Sequence, residues 1–267
     1  MELKRRVGDL TTGRITILLL LSGVISLVFS IYSESHVIAL IGLGLTFWGA
    51  LLLFLKPTKR VDASLLYSAS IPVYLTTDRI IKELEGKGKA YYIPPYPKDV
   101  YLPDYLKGLK EAVVFVSAEE HIEMPPIEEI AKGKFTSKNS EGVLLAPPGL
   151  GLLTQIEQQF NLDFTKMELN DLCTVLPRIV MQDLNLAKDM TMEPKKDQIY
   201  LRIFDSLYKN FYSVENKLKS VDLLGCPIVS ACACALAKTS GKTVTIQKQL
   251  VAPDGLTIEV WYRIVQG

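Results

Sequence analysis

Two uncharged runs near the N terminus constrain the fold more than any other feature of the chain. "ITILLLLSGVISLVFSIY" (Ile15 to Tyr32) has 18 residues and "VIALIGLGLTFWGALLLFL" (Val37 to Leu55) has 19, with only "SESH" between them. At 1.5 Å per residue each makes a helix about 27–29 Å long, close to the thickness of a bilayer's hydrocarbon core. A helix of that length in a water-soluble domain needs a polar face, and neither run has one. Ser33 to His36 is only long enough to reverse the chain, so the sequence predicts an antiparallel transmembrane hairpin over residues 1–60. Lys4, Arg5, Arg6 and Arg14 precede the first run, Lys56, Lys59 and Arg60 follow the second, and the turn carries no Lys or Arg. By the positive-inside rule both termini belong in the cytoplasm of a two-span protein of the cell membrane. A cleaved signal peptide fits less well, because the apolar run is long and a second follows at once.

Small residues recur along both runs: Ser22, Ser26 and Ser30 in the first, Gly42, Thr46 and Ala50 in the second. Ridges of this kind let helix backbones approach closely in lipid, either within the hairpin or against a membrane partner. Neither run holds an ionisable residue, so the hairpin reads as an anchor and not as an ion or proton pathway.

Residues 61–267 are then a cytosolic domain, or two small ones dividing near residue 141. The formal net charge is +1, which removes any bulk electrostatic case for nucleic acid. Four cysteines without regular spacing do not make a disulfide scaffold, and no Asn-x-Ser/Thr acceptor occurs. "VDASLLYSASIPVYLTTDRIIKELEGKGK" reads as two helical segments, Asp78 capping the second and Gly86 and Gly88 ending it. "AYYIPPYP", "DVYLPDY" and "EAVVFVS" read as short extended pieces whose prolines suit a sheet edge. "EGVLLAPPGLG" is a strand with a Pro/Gly stop. Helical patterns follow from Leu150 to Met190, with Pro177 kinking or dividing the second. Ile199, Leu201 and Ile203 alternate as in a strand. After a last helix, "TVTIQKQLV", the turn "APDG" and "LTIEVWYRIV" form a hairpin. The whole is an α+β fold, with helices on one face of an antiparallel sheet and a C-terminal helix–β-hairpin.

Three stretches invite a chemical reading. "SGKT" (Ser240 to Thr243) has the tail of a phosphate loop, but Leu236 stands where the first glycine belongs, and a helix precedes where a strand should. Gly241 is better explained as the left-handed residue after a helix, with Lys238 and Lys242 near the negative end of its dipole. Cys226, Cys232 and Cys234 lack the paired spacing of a zinc site, and 232 and 234 point about 200° apart on a helix. Cys232 and Cys234 read as small core residues. Cys226 sits at a helix cap with Pro227 at the first helical position, where the helix end lowers a thiol's pKa. It is a weak candidate nucleophile, with His121 its candidate base. "EEHIEMPPIEE", holding Glu119, Glu120, His121, Glu123, Glu128 and Glu129, lacks metal-site spacing and reads as a solvated acidic loop. "PPGLGLLTQ" lacks the third glycine of a dinucleotide fingerprint. No cofactor or metal is therefore expected.

The hairpin, "AYYIPPYPKDVYLP", "EGVLLAPPGLGLL" and "LGCPIVSACACALAKTSGKTV" together resemble uncharacterised archaeal membrane-anchored proteins. The resemblance spans most of the chain and implies an archaeal cytoplasmic membrane with a cytosolic domain, but it carries over no catalytic residue. The expected function is a membrane-anchored binding or scaffolding module. Its expected partners are the lipid bilayer and a membrane protein or a second copy of the chain. The alternative is a membrane-bound enzyme or small-ligand sensor, using Cys226 or a pocket lined by the Tyr/Pro segments between Tyr91 and Tyr105.

Overall fold

The structure is a computed structural model describing residues 2–54, 62–83, 88–95, 111–118, 142–195, 198–213 and 218–265, with side chains over 16–52 in the N-terminal helices. The chain divides into two compact units, Met1–Val61 and Asp62–Gly267.

The first unit is a pair of helices, α1 (Glu2–Ser33) and α2 (His36–Phe54), reversed at Glu34 in the left-handed region (φ 47°). The residues turned inward on α1 include Thr16, Gly23, Ser26, Leu27 and Ser30, and those on α2 include Gly42, Thr46, Gly49 and Ala50. A Cβ on Gly23 would lie 2.7 Å from the Thr46 backbone nitrogen, and one on Gly49 would lie 3.1 Å from that of Leu20. The small-residue seam is therefore real, but it includes Gly23 and Gly49 and excludes Ser22, which faces outward and bonds the Leu19 carbonyl. Ser33 and Thr46 also return their hydroxyls to carbonyls of their own helices.

Length and composition alone make two segments apolar enough to cross a membrane, Thr16–Ser33 and Lys219–Ser240, and His36–Leu52 is a shorter apolar helix. Burial separates the two: 89% of the Lys219–Ser240 window is enclosed by protein, against 11% of Thr16–Ser33. The former is the core of the second unit.

That second unit is α+β. Its antiparallel sheet runs in the order β3-β2-β1-β6-β7-β5-β4. The strands are β1 (Ala90–Ile93), β2 (Val113–Ser117), β3 (Gly142–Leu145), β4 (Asp189–Lys195), β5 (Gln198–Phe204), β6 (Val244–Val251) and β7 (Thr257–Ile264). The helices are α3 (Ala63–Glu83), α4 (Leu150–Phe160), α5 (Leu169–Arg178), α6 (Lys219–Leu224) and α7 (Pro227–Ser240). Alternation places Ile199, Leu201 and Ile203 of β5 and Ile258, Val260 and Tyr262 of β7 on the core face, with α7 packed against β1, β6 and β7. A smaller cluster of Ile93, Phe115 and Leu144 occupies the opposite face at the β1–β3 end.

Four local expectations change. The Tyr/Pro strand β1 is interior, pairing with β2 and β6, because Pro94 and Pro95 fall beyond its last residue and leave its N–H groups free to bond. The helical reading up to Met190 runs too far. Pro177 sits in the last turn of α5, the backbone widens into a π turn over Ile179–Asp183, and Asp189 opens an edge strand. α3 is a single helix that continues through Pro72. Asp78 does not cap it, being inside it and turned toward α6. "DVYLPDY", Gly86 and the acidic stretch 119–129 lie outside the described residues.

Candidate functional site

Cys226 lies in the corner between α6 and α7, so that corner is where the chemical reading can be judged. Gly225 has φ 70° and ψ 173°, a conformation open in practice only to glycine. Cys226 is extended (φ −70°, ψ 171°), as the residue before a proline must be, and Pro227 opens α7.

A six-residue helix such as α6 leaves most of its terminal backbone groups without partners, and side chains from remote parts of the chain supply them. The Tyr92 hydroxyl donates to the Leu224 carbonyl at 2.6 Å, and the Tyr74 hydroxyl donates to that of Gly225 at 2.8 Å. Gln249 Nε2 donates to the carbonyls of Val221 (3.1 Å) and Asp222 (2.8 Å). Tyr212 accepts from the Cys226 N–H at 3.0 Å and donates to Gln249 Oε1 at 3.1 Å. Tyr262 donates to the Val229 carbonyl at 2.9 Å. At the other end of α6, Asp78 Oδ1 accepts from the Ser220 N–H at 2.9 Å while its second oxygen pairs with Lys82. Ser230 Oγ, 3.2 Å from the Tyr92 oxygen, accepts from the Gly149 N–H at 3.0 Å. The node is built from α3, β1, β6, β7 and the Lys209–Tyr212 turn, all converging on one corner.

The electrostatics follow from burial. Tyr74, Tyr92, Tyr212 and Tyr262 all have pKa values raised well above the ordinary phenol, first by desolvation. Desolvation also pushes the Cys226 thiol up, and the Val229 N–H, the Tyr212 hydroxyl and the Ile228 N–H offset it only in part. The helix end does favour the thiolate, as the sequence suggests, but full burial outweighs it. Cys226 is thus a neutral enclosed thiol whose neighbours are phenols that hold their protons tightly. Cys173, Cys232 and Cys234 are likewise buried, free and raised by desolvation.

The other candidates separate. His121 lies outside the described residues, as do Tyr96 to Tyr105. Tyr91 and Tyr92 point to opposite faces of β1, the first toward the Ile93–Phe115–Leu144 cluster and the second into the node, so they do not line one pocket. Gly241 is the left-handed cap of α7 (φ 64°), and Ser240 bonds back to the Leu236 carbonyl, which makes "SGKT" a helix stop. Lys238 forms a buried ion pair with both Glu157 oxygens, at 2.7 and 2.8 Å. Among the described residues no group of three or more His, Cys, Asp or Glu is placed to hold a metal ion.

The tyrosine node is what sequence reasoning missed. Part of its signal was present: Tyr262 shares the buried phase of β7 with Ile258 and Val260, and a buried phenol must find a partner. The partners themselves lie 132 and 151 residues away for Tyr92 and Tyr74, beyond the reach of any local pattern.

No curated protein and no solved structure matches the chain. A family model described as a domain of unknown function, DUF7982, matches residues 4–262, and with that nearly complete coverage the chain belongs to this family.

Proposed function

We propose that this protein is a membrane-anchored binding or scaffolding module. Its helical hairpin spans the bilayer, the archaeal cytoplasmic membrane that the resemblance implies, and the α+β unit lies on the cytosolic side. One observation carries the reading. Between Ile17 and Leu51, sixteen large apolar or aromatic side chains point away from the α1–α2 seam and are exposed. At about 1 kcal/mol for each half-exposed side chain, leaving that surface in water would cost on the order of 15 kcal/mol, more than most domains have to spare. Lipid removes the cost. The basic residues flanking both spans, and a turn that carries no Lys or Arg, support the orientation.

The binding role is supported by what the second unit does with its polar groups. The corner that looked chemical spends its hydroxyls, its amide and its thiol-bearing residue on holding α6 and α7 together. A surface that recruits a membrane protein or a second copy suits a domain held at the bilayer. Crosslinking in native membranes followed by detergent solubilisation tests it. Recovery of a defined membrane protein, or of a dimer of this chain, is the expected result, and recovery of uncrosslinked monomer alone would refute it. Protease added to right-side-out vesicles should leave residues 61–267 intact, and their digestion would reverse the orientation.

A further inference from the structure

α3 has an outward face that water alone does not explain. From Ala63 to Thr77 the helix contains no charged residue. Its exposed side includes Leu65, Ala69, Pro72, Val73, Leu75 and Thr76. Leu65 is 58% exposed and Val73 59%. At 100° per residue these positions fall within about 80° of one line along the helix. A helix on the surface of a soluble domain carries its charges on the outward face. Here they are confined to the C-terminal end, where Arg79, Lys82 and Glu83 are exposed. The opposite face is committed: Tyr74, Thr77, Asp78 and Ile81 are buried, and Asp78 and Tyr74 bond α6 and Gly225. The apolar face is therefore not free to turn inward.

We infer that the outward face of α3 lies in the lipid headgroup interface. The inference rests on the anchor reading, and the occupant follows from the chain. Arg60 comes three residues before Ala63. Basic residues flanking a span sit at the headgroup phosphates, and three extended residues reach at most about 10 Å. The first turn of α3 is then held beside the interface. Its face mixes apolar side chains with the hydroxyls of Ser64, Ser68 and Thr76, a composition that suits the boundary between headgroup and acyl chain.

The test uses the full chain in phosphatidylcholine–phosphatidylglycerol vesicles. Leu65→Cys, Val73→Cys and, as a control on the exposed edge strand, Thr191→Cys each receive a polarity-sensitive fluorophore. The four native cysteines are buried and do not compete for label. The expected result is a blue-shifted emission and loss of quenching by aqueous iodide at 65 and 73, with neither change at 191. If 73 is quenched as fully as 191 while the chain resists carbonate extraction, the anchor stands and the interfacial helix is wrong. If carbonate extracts the chain, both fall. If protection at 73 disappears as the protein is diluted in lipid, a second copy covers the face and the inference is overturned.

Discussion

Replacing Tyr92 by Phe removes a single oxygen and leaves the ring, so any effect belongs to the hydrogen bonds at the α6–α7 corner. Tyr92 is fully buried, and its hydroxyl is the donor to the Leu224 carbonyl at 2.6 Å and the neighbour of Ser230 Oγ at 3.2 Å. Water does not reach the site to take its place. An orphaned buried acceptor costs about 1–3 kcal/mol, and a tenfold change in an equilibrium constant is about 1.4 kcal/mol. The equilibrium for opening the corner should therefore rise by about 5- to 150-fold. Cys226 reports that opening, because its thiol is enclosed and its pKa is raised by desolvation. In the unmodified protein iodoacetamide at neutral pH should label Cys226 more slowly than free cysteine. In Tyr92→Phe the rate at Cys226, read by peptide mass spectrometry, should rise within that range and by more than the rate at Cys173 on α5. Tyr200→Phe, whose hydroxyl bonds Glu259 on the outer face of the sheet, should leave both rates unchanged. An unaltered Cys226 rate in Tyr92→Phe would refute the claim that the tyrosine holds the corner, and fast labelling of the unmodified protein would refute its burial.

Four further substitutions probe the same unit in detergent by urea or thermal unfolding. Gly149→Ala puts a Cβ 2.1 Å from the Ala231 nitrogen and 2.5 Å from the Pro227 oxygen, both backbone atoms, so it should cost about 1–3 kcal/mol or more, and an unchanged midpoint would contradict the packing. Lys238→Met strands the Glu157 carboxylate, in a pair whose side chains are each 8% exposed, and should cost about 3–5 kcal/mol. Adding Glu157→Gln should recover most of that loss, and a double variant as weak as the single one would contradict the pairing. Burial pushes the Asp78 carboxyl up, but the Ser220 N–H and Lys82 more than offset it and hold it below the ordinary value. A depressed folded pKa favours the folded state above the unfolded value of about 3.9, and that advantage is lost as pH falls through the lower folded value. Asp78→Asn should lower stability at pH 7 and flatten its decline below about pH 4, whereas an identical acid limb would show that Asp78 is not linked.

What could be read from the sequence depended on how local its cause was. The alternation of Ile199, Leu201 and Ile203, the Pro-Asp-Gly turn and the left-handed Gly241 each act over a few residues, and each appears where the pattern places it. β4 was missed because only Met190 and Met192 mark its buried phase, while Pro194 and its charges suit the edge it occupies. β1 misled because its prolines were counted as part of the strand when they stop it. The seam of the hairpin was half legible: Gly42, Thr46 and Ala50 fall on it, but which face of α1 meets them depends on how the turn at Glu34 sets the two helices. Cys226 was recognised as a cap, and its local surroundings do favour the thiolate. The burial that decides its chemistry comes from the rest of the fold, including tyrosines on α3, β1 and β7 that no spacing links to it.

The account stands on the two N-terminal helices being immersed in lipid. Membranes from cells expressing the full chain, washed in alkaline carbonate and centrifuged at high speed without detergent, test this directly. The account predicts that the chain stays in the pellet and moves to the supernatant only when detergent is added. A folded, monodisperse chain in the carbonate supernatant would contradict it.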